Sequence, residues 1–212
     1  MKLEALGAGL YRLLIPFEDL TTTVYIVKSD FGAAIIDSAT YPSDVDGYIL
    51  PALDALCLEH NEIKYLLLTH EHGDHAGGVG RLSERFPKAP VRASFDHALQ
   101  KEVPLSDGEV LLDRLQVISL PGHTKNSVGY LDIPTKTLLS GDCLQLRGIG
   151  KYRNGVRYPE LYIQSIEKLK HKEIDRIIAA HEYDPLGSVA EGKCEVGAYL
   201  EKCLEVLSDR MM

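Results

Sequence analysis

Along the first part of the chain, apolar positions come in short runs too brief for helices. Leu10 to Ile15 is apolar, and Thr23-Val24-Tyr25-Ile26-Val27 is rich in β-branched and aromatic residues, so both predict strands. Ser29-Asp30-Phe31-Gly32 reads as a hairpin turn. Ala33-Ala34-Ile35-Ile36 reads as the returning strand, ending at Asp37. The period then changes. Val45, Ile49, Leu53 and Leu56 recur at helical spacing, with Ser43 and Asp46 spaced as a capping box. Pro51 conflicts with that helix and predicts a kink or break. Tyr65 to Leu68 predicts a buried strand. Val79, Leu82 and Phe86 predict a helix that Pro87 stops.

The second half repeats the alternation. Leu115 to Leu120 predicts a strand that runs into Pro121-Gly122-His123. Val128 to Leu131 and Thr137 to Leu139 flank a turn at 132–135, and this hairpin ends in Ser140-Gly141-Asp142. Tyr162, Ile166 and Leu169 predict a helix, Arg176 to Ala179 a strand ending near His181, and Val196 to Leu207 a final amphipathic helix. Strands and helices in this order predict an α/β chain of two sheets covered by helices. No linker, low-complexity segment or charge block interrupts it, so residues 1–212 read as one domain.

Composition changes this picture little. With 45% hydrophobic and 25% charged residues the chain has an ordinary globular balance. The net charge of −8 argues against nucleic acid or an anionic membrane as partner. No apolar run reaches the length of a membrane span. The N-terminus has no long apolar stretch and carries Glu4, and Cys57, Cys143, Cys194 and Cys203 form no Cys-x-x-Cys pair. These features predict a cytoplasmic protein with free thiols.

The chemistry lies in Thr69-His70-Glu71-His72-Gly73-Asp74-His75. On an extended segment His70 and His72 project to the same side and can grip one ion. Gly73 allows a turn, after which Asp74 and His75 offer an oxygen and a nitrogen to a second ion. Zinc favours such ligands. His123 and His181 supply further nitrogens, and the two oxygens of Asp142 can bridge. The ligand count then closes: His70, His72, His123 and a share of Asp142 for one ion, and Asp74, His75, His181 and the other share for its neighbour. Five of the eight histidines fall in these strand-end positions, whereas His60, His97 and His171 read as ordinary structural histidines. Glu71, between ligands, is expected to face away.

His70-x-His72-x-Asp74-His75, followed in order by His123, Asp142 and His181, resembles the metallo-β-lactamase superfamily. Pro121-Gly122-His123-Thr124 and Ser140-Gly141-Asp142 match the family's local contexts, and Asp37 matches its Asp at the end of an early strand. The resemblance implies a four-layer αβ/βα sandwich with two metal ions at one edge of the paired sheets. Zinc is the implied metal, with iron or manganese as alternatives. Two departures stand out: Lys125-Asn126 where many relatives have Pro-Gly, and Ala180 where many have Gly. Neither removes a ligand.

The chemistry that follows is hydrolysis. A metal-bridging hydroxide attacks an ester-like bond, one metal holds the developing oxyanion, and Asp74 orients the nucleophile or carries its proton. Within the family it resembles, a secreted β-lactamase would carry a signal peptide, a glyoxalase II a C-terminal helical domain and a tRNA-processing enzyme a protruding RNA-binding arm. None of these is expected here, so the resemblance implies a compact thioesterase-like or lactonase-like hydrolase. The substrate is expected to be a small molecule, with an anionic one admitted. Arg147, Tyr152, Arg153 and Arg157, in a loop shared with Lys151 and Tyr158, form a candidate anion-binding rim. Lys125, Asn126 and Tyr183 are further pocket candidates because each lies close to a ligand. Two alternatives come from other classes. One is an iron-dependent persulfide dioxygenase using His70, His123 and Asp142; the other is a catalytically silent binding protein. Oligomeric state is not encoded in any of these features.

Overall fold

The computed structural model describes residues 2–18, 20–100, 104–144, 155–182 and 187–208. The chain forms two compact units, residues 1–105 with 110–114, and residues 106–109 with 115–212. No described helix is long and apolar enough to cross a membrane.

The first unit is built on a mixed sheet in sequence order, β1 (Lys2–Gly7), β2 (Leu10–Phe17), β3 (Leu20–Ser29), β4 (Gly32–Ile36), β5 (Ile63–Leu67) and β6 (Val91–Arg92). The first four strands form an antiparallel meander, and β4, β5 and β6 are parallel to one another. Parallel neighbours need crossovers, and helical segments supply them. The core joins Leu13, Ile15, Val24, Ile26, Ile35 and Leu66 to Val45, Ile49, Leu53, Val79, Leu82 and Phe86. Those last six are the residues whose helical spacing the sequence displays, so the predicted faces are the buried ones.

The 42–55 helix differs from expectation in two ways. Its cap is Asp44, not a Ser43–Asp46 box: the Asp44 carboxylate accepts from the backbone N–H groups of Thr40 and Tyr41, and α1 (Pro42–Asp44) starts there. Pro51 does not break it. Val45–Ile49 instead widens into a π-helical turn, in which Leu50 N–H donates to the Val45 carbonyl, and α2 (Leu50–Ala55) continues. The wider turn accommodates a ring that has no N–H to donate and would crowd the preceding turn. α3 (Gly73–Ala76) and α4 (Val79–Arg85) follow β5, and β7 (Val110–Leu111) is a two-residue strand. Strands β1, β6 and β7 are too short or too weakly apolar to stand out in the sequence.

In the second unit, strands β8 (Leu115–Ser119), β9 (Val128–Asp132), β10 (Thr137–Gly141), β11 (Arg176–Ala179) and β12 (Val189–Glu191) are neighbours in the order β12-β11-β10-β9-β8. β8–β9 and β9–β10 are antiparallel and β10–β11 is parallel, so β8, β10 and β11 all run the same way. Their C-terminal ends therefore share one edge. α5 (Pro159–Lys170) and α6 (Lys193–Ser208) cover this sheet through Tyr162, Ile166, Leu169, Val196, Leu200 and Cys203. All four cysteines are free, Cys143 and Cys203 buried, Cys57 and Cys194 exposed.

Candidate metal centre

In the first unit, the C-terminal ends of β4 and β5 place Asp37 beside the Thr69–His75 segment. The Ile36↔Leu67 pairing is followed by a hydrogen bond from Asp37 N–H to the Leu67 carbonyl. Asp37 has φ 64°, a left-handed conformation that Asp tolerates better than most residues, and it turns the carboxylate inward. That carboxylate is buried and accepts from three donors: Thr69 N–H at 2.8 Å, Thr69 Oγ1–H at 2.8 Å and His75 Nδ1–H at 2.7 Å.

The proton directions follow from the chemistry. A carboxylate only accepts, so His75 must carry its proton on Nδ1, which leaves Nε2 with a lone pair. The hydroxyl proton of Thr69 is likewise committed to Asp37. Thr69 Oγ1, 3.0 Å from His70 Nδ1, therefore accepts from it, and His70 also keeps its lone pair on Nε2. One buried carboxylate thus sets the tautomers of two histidines, one directly and one through a hydroxyl.

His72 is extended (φ −70°, ψ 149°) and caps α3, so Gly73, Asp74 and His75 lie in a helical turn. Gly73 was expected to permit a tight turn, but its backbone is not left-handed and a Cβ there would meet nothing within 4 Å. The helix, not glycine freedom, reverses the direction. The rings of His70 and His72 lie 4.7 Å apart and those of His70 and His75 4.2 Å apart. The His75 carbonyl accepts from Ser38 N–H and Ser38 Oγ, and the Asp74 carbonyl from Thr22 Oγ1. Glu71 is exposed.

Two glycines missed in the sequence reading hold this arrangement together. A Cβ on Gly77 would sit 2.1 Å from the Thr40 carbonyl oxygen, and one on Gly78 2.2 Å from that of Ser38. Only a residue without a side chain lets the α3–α4 junction press against the 38–40 loop. The Gly-Gly pair just after the histidine cluster was the available signal. Ser38 and the proton relay through Thr69 carry no sequence signal of this kind.

In the second unit, His123, Asp142 and His181 follow β8, β10 and β11 at the shared edge. The parallel pairing Gly141↔Ala179 sets Asp142 beside the His181 segment, and Ala180 N–H donates to the Gly141 carbonyl. His123 Nδ1 lies 2.5 Å from the Gly155 carbonyl. A carbonyl cannot donate, so His123 too is protonated on Nδ1 and presents Nε2.

The donor spacings test whether these groups fit a metal. Two ligands at about 2.1 Å from a tetrahedral ion stand roughly 3.4 Å apart, farther than a strong hydrogen bond. His123 Nε2 lies 3.5 Å from Asp142 Oδ2, and His181 Nε2 lies 3.2 Å from Asp142 Oδ1. In the first unit, His75 Nε2 lies 3.4 Å from Asp74 Oδ2. All three spacings suit ligands of a shared ion. Each oxygen of Asp142 faces a different histidine, which is the disposition of a bridging carboxylate.

The remaining candidates divide. Lys125, Asn126 and Arg157 are exposed beside the His123 loop. Arg147, Lys151, Tyr152, Arg153 and Tyr183 lie outside the described residues. His60 packs edge-on to Phe86, His97 lies near Phe95 and accepts from Leu99 N–H, and His171 ends α5.

The family model for the metallo-beta-lactamase superfamily matches residues 18–110. The hydroxyacylglutathione hydrolase of Hahella chejuensis is 35% identical over 168 residues, covering 76% of this chain and 61% of that protein. The uncharacterized protein YobT of Bacillus subtilis is 33% identical over 151 residues, covering 58% and 62%. The chain thus spans about three fifths of the length of the curated relatives it matches. A metallo-beta-lactamase family protein from Thermus thermophilus superposes with a TM-score of 0.76 at 22% identity, covering 98% of this chain and 82% of that one. A subclass B3 metallo-beta-lactamase of Bradyrhizobium japonicum gives 0.74 at 18%, covering 100% and 94%. These structural likenesses establish the α/β fold.

Proposed function

The chain belongs to the metallo-β-lactamase superfamily, and from that premise we propose that it is a two-metal hydrolase of a thioester or lactone, with a phosphodiester as the next candidate. The observation that carries the reading is Asp142, with one oxygen toward His123 and the other toward His181. In this reading the donors sort into His70, His72 and His123 for one ion and Asp74, His75 and His181 for the other, with Asp142 between them. Residues 1–212 then act as one functional domain.

Divalent ions held there, zinc in the first instance, would supply Lewis acidity that polarises the scissile carbonyl and lowers the pKa of a water. The protein's part is to aim the donors. Asp37, Thr69 and Gly155 keep protons off the Nε2 atoms of His75, His70 and His123. The Asp74 side chain is 15% exposed against 9% for Asp142, which makes Asp74 the better placed carboxylate to orient the attacking water and take its proton. The similarity to several hydroxyacylglutathione hydrolases supports an acyl-sulfur bond as the first one to assay. Free thiols at all four cysteines suit a cytoplasmic setting.

Elemental analysis of the purified protein, followed by a panel of thioester, lactone and phosphodiester substrates, tests this. Two zinc ions per chain and turnover of a thioester or lactone are expected. One iron per chain with oxygen uptake on a persulfide would overturn the reading, as would full metal loading with no turnover on any substrate.

A further inference from the structure

The loop that carries His123 also carries a cation in a defined place. Thr124 is buried, its N–H donates to Ser127 Oγ, and its Oγ1 lies 3.0 Å from Ser127 Oγ and accepts from Asn126 N–H. This closed turn leaves Lys125 and Asn126 exposed at its apex. The Lys125 ammonium lies 5.4 Å from the centre of the Tyr158 ring, within cation–π range. No carboxylate lies within ion-pair distance of it among the described residues.

Tyr158 is itself fixed to the ligand loop. The Gly122 carbonyl accepts from Arg157 N–H at 3.0 Å and Tyr158 N–H at 2.9 Å, and the Gly155 carbonyl accepts from His123 Nδ1. Gly122 has φ 151°, and a Cβ there would lie 2.6 Å from the Tyr162 Cβ, so the loop is pressed onto α5. Lys125 is therefore a cation held two residues from a ligand histidine, on a turn clamped from both sides. In a chain of net charge −8, such a group offers a local positive site against an unfavourable background.

We propose that Lys125 is a specificity-determining residue that binds a carboxylate on the acyl substrate. The proposal rests on the hydrolase reading above and narrows its substrate to anionic thioesters or lactones. Tyr158 acts as the positioning residue, because its ring face restricts where the ammonium can go. A lysine that merely decorates a solvated loop would not discriminate between substrates of equal shape and different charge.

The test compares an anionic probe, 3-(acetylthio)propanoate, with a neutral one, S-(2-hydroxyethyl) thioacetate. Wild-type protein should prefer the anionic probe, and Lys125→Ala should cut the ratio of the two kcat/KM values about tenfold, chiefly through KM for the anionic probe. Lys125→Arg should restore most of the ratio, Tyr158→Leu should lower it part of the way, and added salt should lower it for wild type but not for Lys125→Ala. An unchanged ratio in Lys125→Ala overturns the proposal. If neither probe is turned over, the thioester arm of the hydrolase reading fails on its own account, and Lys125 is judged by NMR titration of metal-loaded protein with glutarate. Asn126 amide shifts that saturate in wild type and vanish in Lys125→Ala support it; equal titration in both refutes it.

Discussion

Asp37→Asn exchanges one oxygen for an NH2 group and sets the proton directions of the first unit against one another. If the NH2 takes the place of Oδ2, it meets the Thr69 hydroxyl at 2.8 Å and His75 Nδ1 at 2.7 Å. His75 can then only accept there, and its proton moves to Nε2, the atom assigned to the metal. If the NH2 takes the place of Oδ1, it meets Thr69 N–H at 2.8 Å, a donor that cannot reverse. Either orientation leaves at least one buried group mispaired, at roughly 1–3 kcal/mol for each. A loss of about 3 kcal/mol, and with it a fall in Tm of roughly 6–12 °C, is expected for the metal-free protein. Zinc affinity should fall roughly 10- to 100-fold because a ligand's orienting partner is lost. Thermal melts in chelator give the first quantity, and competition against a zinc-binding dye gives the second. Metal-free Asp37→Asn as stable as wild type, with zinc affinity within about twofold of it, would refute the shared-carboxylate argument. Thr69→Val separates the two arms, since it removes the relay to His70 and keeps the backbone N–H and the His75 contact. It should weaken only one of two resolved zinc-binding steps.

Other outcomes follow from the same geometry. Gly78→Ala places a Cβ 2.2 Å from the Ser38 carbonyl, so a loss of about 3 kcal/mol or more in urea unfolding is expected; wild-type stability would mean that the loop yields freely. Asp74→Asn should lower kcat roughly 100-fold or more on a hydrolysed substrate, and retention of both metals with full turnover would remove Asp74 from the proton-handling role. Burial pushes the Cys203 thiol up to about 12, and Cys143 is also buried. Iodoacetamide at pH 8 should therefore label Cys57 and Cys194 in the native protein and all four cysteines in denaturant, as read by mass spectrometry. Native labelling of Cys203 would contradict the packing beneath α6.

The periodicity of apolar residues was enough to locate the longer strands and helices, because side-chain alternation is a local property of the backbone. The same holds for the chemistry of the donors. His70, His72, Asp74, His75, His123, Asp142 and His181 stand out by residue type and by position after apolar strands, and no knowledge of tertiary contacts is needed to suspect a metal. Short edge strands such as β6 and β12 were not legible, since two or three residues form a strand only when a neighbour offers its hydrogen bonds. Pro51 shows the limit of a local rule: in isolation it predicts a break, but burial of Val45, Ile49 and Leu53 favours a widened turn over loss of the helix.

What only the tertiary structure decided is how the donors are aimed. That Asp142 turns one oxygen to His123 and the other to His181 depends on β8, β10 and β11 running the same way, and that direction is set by pairings between distant segments. The tautomers of His70, His75 and His123 depend on Asp37, Thr69 and Gly155, and Asp37 and Gly155 lie more than thirty residues from the histidines they serve. Residue type decides which atoms can bind a metal. Packing decides which of those atoms holds a proton and which keeps a lone pair, because a hydrogen bond has a direction that only its partner can assign.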